Sequence, residues 1–309
     1  MIVTDEIKSL YQIRPLADSI PIEMVLSSQM ERWVDTLTAF ERRQIKATTF
    51  NGKKGQLTIV VDHDGHAAKV CVGVGEQADF WLAGAWVKQL PKGVYHIASL
   101  EEDGAFNYAL AWGLGAYAFT HYVKSKQCIE AKLMLPCYVD YKALYTLVAS
   151  MYWVRDLINT PAQDLMPSDL FGEAKKLAKW HKASCKAIVG DKLLKHNYPA
   201  VHAVGRGSHA QPHFIDLQWG SNDHPSLTLI GKGVCYDTGG LDLKSAAGML
   251  TMKKDMGGAA HALALAHLVM SHKLPVRLRV LIPAVENAIS DHAYRPGDVI
   301  QTRAGLTVE

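Results

Sequence analysis

The chain lacks any run of about 18 uninterrupted apolar residues, so it offers no membrane-spanning helix. Residues 1–21 carry five charged side chains and no unbroken apolar centre, which argues against a secretory signal. Excess charge is lacking too: 33 basic against 30 acidic residues leave +3, too little to argue for nucleic acid or an anionic membrane. Cysteine is sparse. Cys71, Cys128, Cys137, Cys185 and Cys235 are odd in number and scattered without a C-x-x-C, which suits a reduced, cytoplasmic setting better than a disulfide framework. The 14 histidines form no H-E-x-x-H, which removes the zinc-helix route to a hydrolase. Internal repeats and low-complexity segments are absent as well.

What is present is ample core material. At 309 residues and 49% apolar content the chain is long enough for two domains. Short β-rich runs alternate with helical ones, the pattern of an α/β fold. The expected organisation is an amino-terminal α/β domain over 1–140, a connecting helix over 141–160, and a carboxy-terminal mixed-sheet α/β/α domain over 161–309. In the first part, 56–62 (QLTIVVD) and 67–74 (AAKVCVGV) read as strands joined at Asp64-Gly65. Residues 30–43, 77–88 and 107–124 read as helices. The stretch 141–159 is a single helix by its i, i+3, i+4 spacing of Leu144, Leu147, Val148, Met151 and Val154, and it stops before Thr160-Pro161.

Beyond it, Ser168 is expected to cap a helix running to His181. Residues 185–189, 200–204, 214–219, 226–230 and 276–283 read as strands. Their alternation with helices implies a mostly parallel sheet, whose ligands bind beyond the strands' carboxyl ends.

Chemistry concentrates after Ile230. Gly231, Gly233, Gly239 and Gly240 let the backbone turn tightly, and Lys232, Asp237, Lys244 and Asp255 place two cations and two anions around the turn. Apolar residues then recur at helical spacing over 257–272, so Asp255 stands just ahead of a helix N-terminus. One aspartate beside glycines is usually a turn or cap. Two in a confined site repel unless a cation lies between them, and a divalent ion is the simplest explanation. Lys232 is either an amine ligand or an ion-pair partner of Asp237; sequence leaves both open. Lys244 is either an ammonium that holds an oxyanion or a solvated surface group, with Asp242, on the same side, a partner or a surface group.

Other motifs are weaker. Gly73-Val-Gly75 and Gly205-Arg-Gly207 look like the opening of a dinucleotide-binding fingerprint, but the first lacks an acidic partner about 20 residues on, and tight turns explain both. Gly231-Lys232-Gly233 is no P-loop, since Ser226 stands where a glycine belongs and Gly233 replaces the hydroxyl residue. His261, His267 and His272 read as packing or surface residues.

The stretches 231–244 (GKGVCYDTGGLDLK), 252–260 (MKKDMGGAA) and 295–299 (RPGDV) resemble the leucyl aminopeptidase, or cytosol aminopeptidase, family. Weaker likeness extends through 155–161 and 203–208. The resemblance implies a cytoplasmic two-metal exopeptidase using manganese or zinc, acting on peptides and assembled as a homo-hexamer. By position it implies that Lys232 and Asp255 bind one metal, Asp237 bridges both, Lys244 is catalytic and Met252 lines the side-chain pocket.

The family's pattern continues past a Thr-Val-Glu like 307–309 into Asn-Thr-Asp-Ala-Glu-Gly-Arg. That motif completes the metal sites, and its arginine holds a bicarbonate. The sequence stops about five residues before the motif's aspartate, so a truncated catalytic domain is expected, with Glu286 the nearby carboxylate that could substitute. A non-catalytic remnant serving assembly or binding, and a nucleotide-dependent oxidoreductase built on residues 73–78, are the rival readings.

Overall fold

The structure, a computed structural model, describes residues 4–123 and 128–309. The chain divides into two compact units between Ala149 and Ser150. No helix among the described residues is long and apolar enough to cross a membrane.

In the amino-terminal unit, β1 (Tyr11–Gln12), β2 (Ile20–Leu26), β3 (Leu57–Val61), β4 (Ala67–Gly75), β5 (Gly93–Ile97) and β6 (Ala131–Met134) form one sheet ordered β1-β6-β5-β2-β4-β3. Every pair is parallel except β3–β4, the hairpin expected at Asp64-Gly65. Gly65 takes a φ of +85°, and Asp62 Oδ1 accepts the N–H groups of Asp64 and His66, so the turn is closed by its own side chain.

Several helix boundaries differ from expectation, each for a local reason. The helix expected over 30–43 is two helices, Met30–Thr36 and Ala39–Lys46. Thr38 breaks it: its hydroxyl accepts the Glu41 N–H and the Glu41 carboxylate accepts the Thr38 N–H, a capping box that starts a new helix. The helix expected over 77–88 shrinks to a 3-10 turn, Phe80–Leu82, and a short helix, Ala83–Trp86. Asp79 causes the delay by accepting the Trp81 N–H. The helix expected over 107–124 is Glu102–Gly115; Lys124 lies outside the described residues. Gly73 and Gly75 lie within β4 and do not open directly into a helix. Their backbones bond to the 52–56 loop, where a Cβ on Gly73 would come 2.2 Å from the Lys53 carbonyl oxygen, so close backbone pairing, not a nucleotide, explains them.

The helix Tyr141–Asn159 has the expected bounds. In the carboxy-terminal unit, β7 (Ser184–Val189), β8 (His213–Trp219), β9 (Ser226–Ile230), β10 (Gly233–Asp237) and β11 (Arg277–Asn287) form a second sheet, followed by the small ladder of β12 (Ile300–Gln301) and β13 (Thr307–Val308). β11 is its spine. It runs antiparallel to β8 on one side and parallel to β9 and then β10 on the other, while β7 is antiparallel to β8.

The sheet is mixed, as expected of this domain, and half of its strand pairs are antiparallel where the strand–helix alternation alone implied a mostly parallel sheet. The β7–β8 connection shows why: its helices Lys192–Lys195 and Pro199–Gly205 are four and seven residues long. Seven helical residues rise about 10 Å against about 23 Å for a seven-residue strand, too short for a parallel crossover. The second of these helices replaces the strand expected over 200–204, because Pro199 at its first turn fixes a helical φ. Likewise the helix expected to be capped by Ser168 is Pro167–His181, with Met166 as cap residue and Asp169 accepting the Met166 N–H at 3.0 Å. Ile215 and Leu217 of β8, Leu278, Val280 and Ile282 of β11, and Leu263 and Met270 of the helix Gly257–Ser271 are fully or almost fully buried. Each such side chain contributes about 1.5–3 kcal/mol by leaving water.

Candidate active site

The stretch after Ile230 is more ordered than a glycine loop. β9 and β10 follow one another along the same edge of β11, separated only by Gly231 and Lys232, and Asp237 is the last residue of β10. The helix Gly257–Ser271 begins directly against this joint, with Ala259 N–H donating to the Lys232 carbonyl at 2.9 Å. A Cβ on Gly231 would come 2.7 Å from Ala259 Cα, and one on Gly258 would come 2.9 Å from Lys232 N. The glycines are thus a contact surface that lets helix and strand backbones touch. Asp255 sits in the 3-10 turn Met252–Met256 that leads into this helix.

Two ion pairs result. Lys244 Nζ donates to Asp237 Oδ2 at 2.6 Å, and Lys232 Nζ lies 2.9 Å from Asp255 Oδ2. The pairing differs from the Lys232–Asp237 alternative read from sequence, because β10 carries Asp237 away from Lys232 and the Gly239-Gly240 turn brings Lys244 back. Gly239 and Gly240 take φ values of +87° and +69°, and the Lys244 N–H bonds to the Thr238 carbonyl.

Burial pushes the Asp237 carboxyl up, but hydrogen bonds from Lys244, the Gly239 N–H and Asn287 outweigh it and hold the group below the usual carboxylate range. The bond to Asp237 holds the Lys244 ammonium above its ordinary value, helped by the charges of Asp255 and Asp242. Asp242 itself is exposed. Residues 241–243 form a turn and bend rather than a short strand, so the alternation argument for its direction does not apply.

Asp255 carries an unusual feature: its Oδ2 is buried and has no hydrogen-bond partner, although Lys232 Nζ is within ion-pair distance. The Lys232 ammonium offsets the charge of this oxygen without a directed hydrogen bond to its lone pairs. Such an atom is a ready ligand position. Lys232, Asp237 and Asp255 supply two hard carboxylates and an amine, a donor set that fits a divalent ion.

Met252 is half-buried in the same 3-10 turn as Asp255. Glu286 accepts a short hydrogen bond from the Ser208 hydroxyl, which links the 205–208 turn to the end of β11 and explains that turn as structural support. Burial pushes the Cys235 thiol up to about 12, so it offers no thiolate, and the five cysteines are all free. His261 is exposed, whereas His267 is buried against His181 at 2.9 Å. Among the described residues, Asp62, Asp64 and His66 bring a ligand atom each within 4.8 Å of one another, exposed at the hairpin turn, where Asp62 is already occupied with closing the turn.

Sequence reasoning gave Asn287 no role beyond its Glu-Asn setting. Its Nδ2 donates to Asp237 Oδ1 at 2.8 Å across the β10–β11 ladder. Only the register of two strands, 50 residues apart in sequence, places it there.

Two α/β units, the second carrying carboxylates and lysines at its strand ends, match the two-domain organisation of M17 aminopeptidases. The family model for the cytosol aminopeptidase catalytic domain matches residues 152–309, and that for the M17 aminopeptidase N-terminal domain matches residues 20–136. The chain belongs to the cytosol aminopeptidase family. It is similar to the crystal structure of cytosol aminopeptidase from Coxiella burnetii, with a TM-score of 0.91 and 43% identity over 97% of this chain and 66% of that one. It is also similar to the bottromycin maturation enzyme BotP in complex with Mn, with a TM-score of 0.78 and 28% identity over 94% of this chain and 64% of that one. Among curated proteins, a probable cytosol aminopeptidase of Chlamydia felis is 39% identical over 207 residues, 62% of this chain and 41% of the relative. The chain thus spans about two fifths of the length of that relative.

Proposed function

We propose that the chain carries the centre of a metal-dependent aminopeptidase that removes amino-terminal residues from peptides. Lys232 and Asp255 are the proposed ligands of one divalent ion, manganese or zinc, and Asp237 the bridge to a second. The observation that carries the reading is the buried Oδ2 of Asp255, paired with Lys232 Nζ at 2.9 Å, within a stretch that matches the family's catalytic domain.

When bound, divalent ions supply Lewis acidity and lower the pKa of water toward neutrality. The chain's own residues do the rest. Lys232 would ligate as the neutral amine, a form that a neighbouring divalent charge favours. Lys244, held protonated, keeps the positive charge that an oxyanion developing on the scissile carbonyl requires. Met252 is the proposed wall for the side chain of the residue removed. A site that anchors a free α-amine selects chain ends, since an internal peptide nitrogen cannot ligate.

The proposed division is a 1–140 amino-terminal domain, a 141–160 connecting helix and a 161–309 catalytic domain. A homo-hexamer in the cytoplasm is the proposed assembly and setting, resting on the family resemblance alone. Release of product from a leucine anilide with added Mn²⁺, lost in Asp255→Ala and Lys244→Ala, tests the function. Activity that persists in both variants contradicts it.

A further inference from the structure

β10 and β11 run parallel and end together, with Asp237 opposite Asn287. Asp237 Oδ1 accepts from Asn287 Nδ2 at 2.8 Å and from the Gly239 N–H at 2.9 Å. Two donors on one oxygen fix the plane of the carboxylate, because rotation about its Cβ–Cγ bond would break both bonds. Oδ2 is left facing Lys244. The carboxylate is therefore divided between one oxygen held by the protein and one presented to the charged cluster.

Asn287 is itself held in place. Its carbonyl accepts the Thr238 N–H at 3.0 Å and the Thr238 hydroxyl at 2.8 Å, and its Oδ1 lies 3.0 Å from where a Cβ on Gly240 would stand. These ties between the strand ends use the backbone of Asn287, not its amide. The amide's donor is directed at Asp237, and a neutral donor there orients the carboxylate without competing for its charge as a second lysine would.

We infer that Asn287 is a positioning residue, whose side-chain amide sets the orientation in which Asp237 offers Oδ2 to a divalent ion. This inference rests on the metal-binding reading proposed above. Groups that orient a metal-binding carboxylate from behind commonly matter by 10–100-fold in metal affinity.

The test is Mn²⁺ binding to the full chain, followed by calorimetry and by the electron paramagnetic resonance signal of free Mn²⁺, with melting of the metal-free protein as the fold control. Asn287→Ala removes the donor, and Asn287→Asp keeps the shape while replacing the donor with an acceptor. Both are expected to weaken Mn²⁺ binding by about 10–100-fold while the metal-free melting temperature stays within a few degrees of the parent. Parent-like Mn²⁺ affinity in Asn287→Ala overturns the inference and leaves the metal reading standing. Loss of the folded transition in both variants also overturns it, in favour of a purely structural tie. A parent chain that binds Mn²⁺ no better than Asp255→Ala overturns the metal reading and this inference with it.

Discussion

Lys244 Nζ stands 2.6 Å from Asp237 Oδ2, a charge-assisted bond that joins the end of β10 to the turn that follows it. The pair holds the lysine charged and the carboxylate ionised together. Under the proposed function the two residues have different jobs, Asp237 binding ions and Lys244 stabilising charge on the substrate, which substitution can tell apart.

Replacing Lys244 by methionine keeps the stem and removes the charge. Turnover of a leucine anilide is expected to fall by about 10²–10³-fold, the usual effect of losing one oxyanion donor. Mn²⁺ affinity, measured by calorimetry, is expected to stay the same or rise, since a competitor for Asp237 is gone. A parallel loss of Mn²⁺ binding would make Lys244 part of the ion site instead.

Asp255→Asn tests whether the buried Oδ2 is kept for ligand binding. Oδ2 receives no directed hydrogen bond but pairs with Lys232 Nζ at 2.9 Å. Because that lysine is largely exposed, losing the pair is expected to lower melting without metal only slightly, while Mn²⁺ binding weakens at least about tenfold. Differential scanning calorimetry with and without Mn²⁺ reads both effects.

Much of this cluster is legible in the sequence, because Gly231, Lys232, Asp237, Lys244 and Asp255 are close along the chain and their residue types restrict one another. The partner choice is not. It depends on β10, a strand of five residues between glycine turns that periodicity does not distinguish from a loop. Asn287 is less legible still, since it meets Asp237 only through strand register. The capping box at Thr38 and Glu41 and the helix start at Pro199 do have local signals, in the Thr-x-x-Glu spacing and in a proline at the first helical turn.

Gly231→Ala is expected to destabilise the carboxy-terminal unit. Its Cβ would meet Ala259 Cα at 2.7 Å, backbone that cannot yield cheaply. The expected cost is about 1–3 kcal/mol, as for other overpacked positions, read as a lower denaturant midpoint with an unchanged slope. An unchanged midpoint would show that the helix Gly257–Ser271 does not rest on this joint as tightly as described.

Stability is expected to depend on pH through His267. Burial, with the neighbouring His181 and His272, lowers its pKa from 6.5 to about 4, and its Nε2 has no partner. A folded-state pKa below the unfolded one means that the unfolded chain binds more protons between pH 6.5 and 4. The contribution is complete above pH 6.5 and lost as pH falls to about 4. About 2 kcal/mol should be gone by pH 5. Urea titrations at pH 7 and pH 5 are expected to show this loss in the parent and a smaller one in His267→Leu; equal losses would place the titration elsewhere.

The most direct measurement is anomalous diffraction from crystals grown with MnCl₂, collected on the low-energy side of the manganese edge and above it. The account expects an edge-dependent peak bounded by Lys232 Nζ and the carboxylates of Asp237 and Asp255. A peak confined to the exposed turn of Asp62, Asp64 and His66, or no peak near Asp255 in Mn²⁺-saturated crystals, would contradict it.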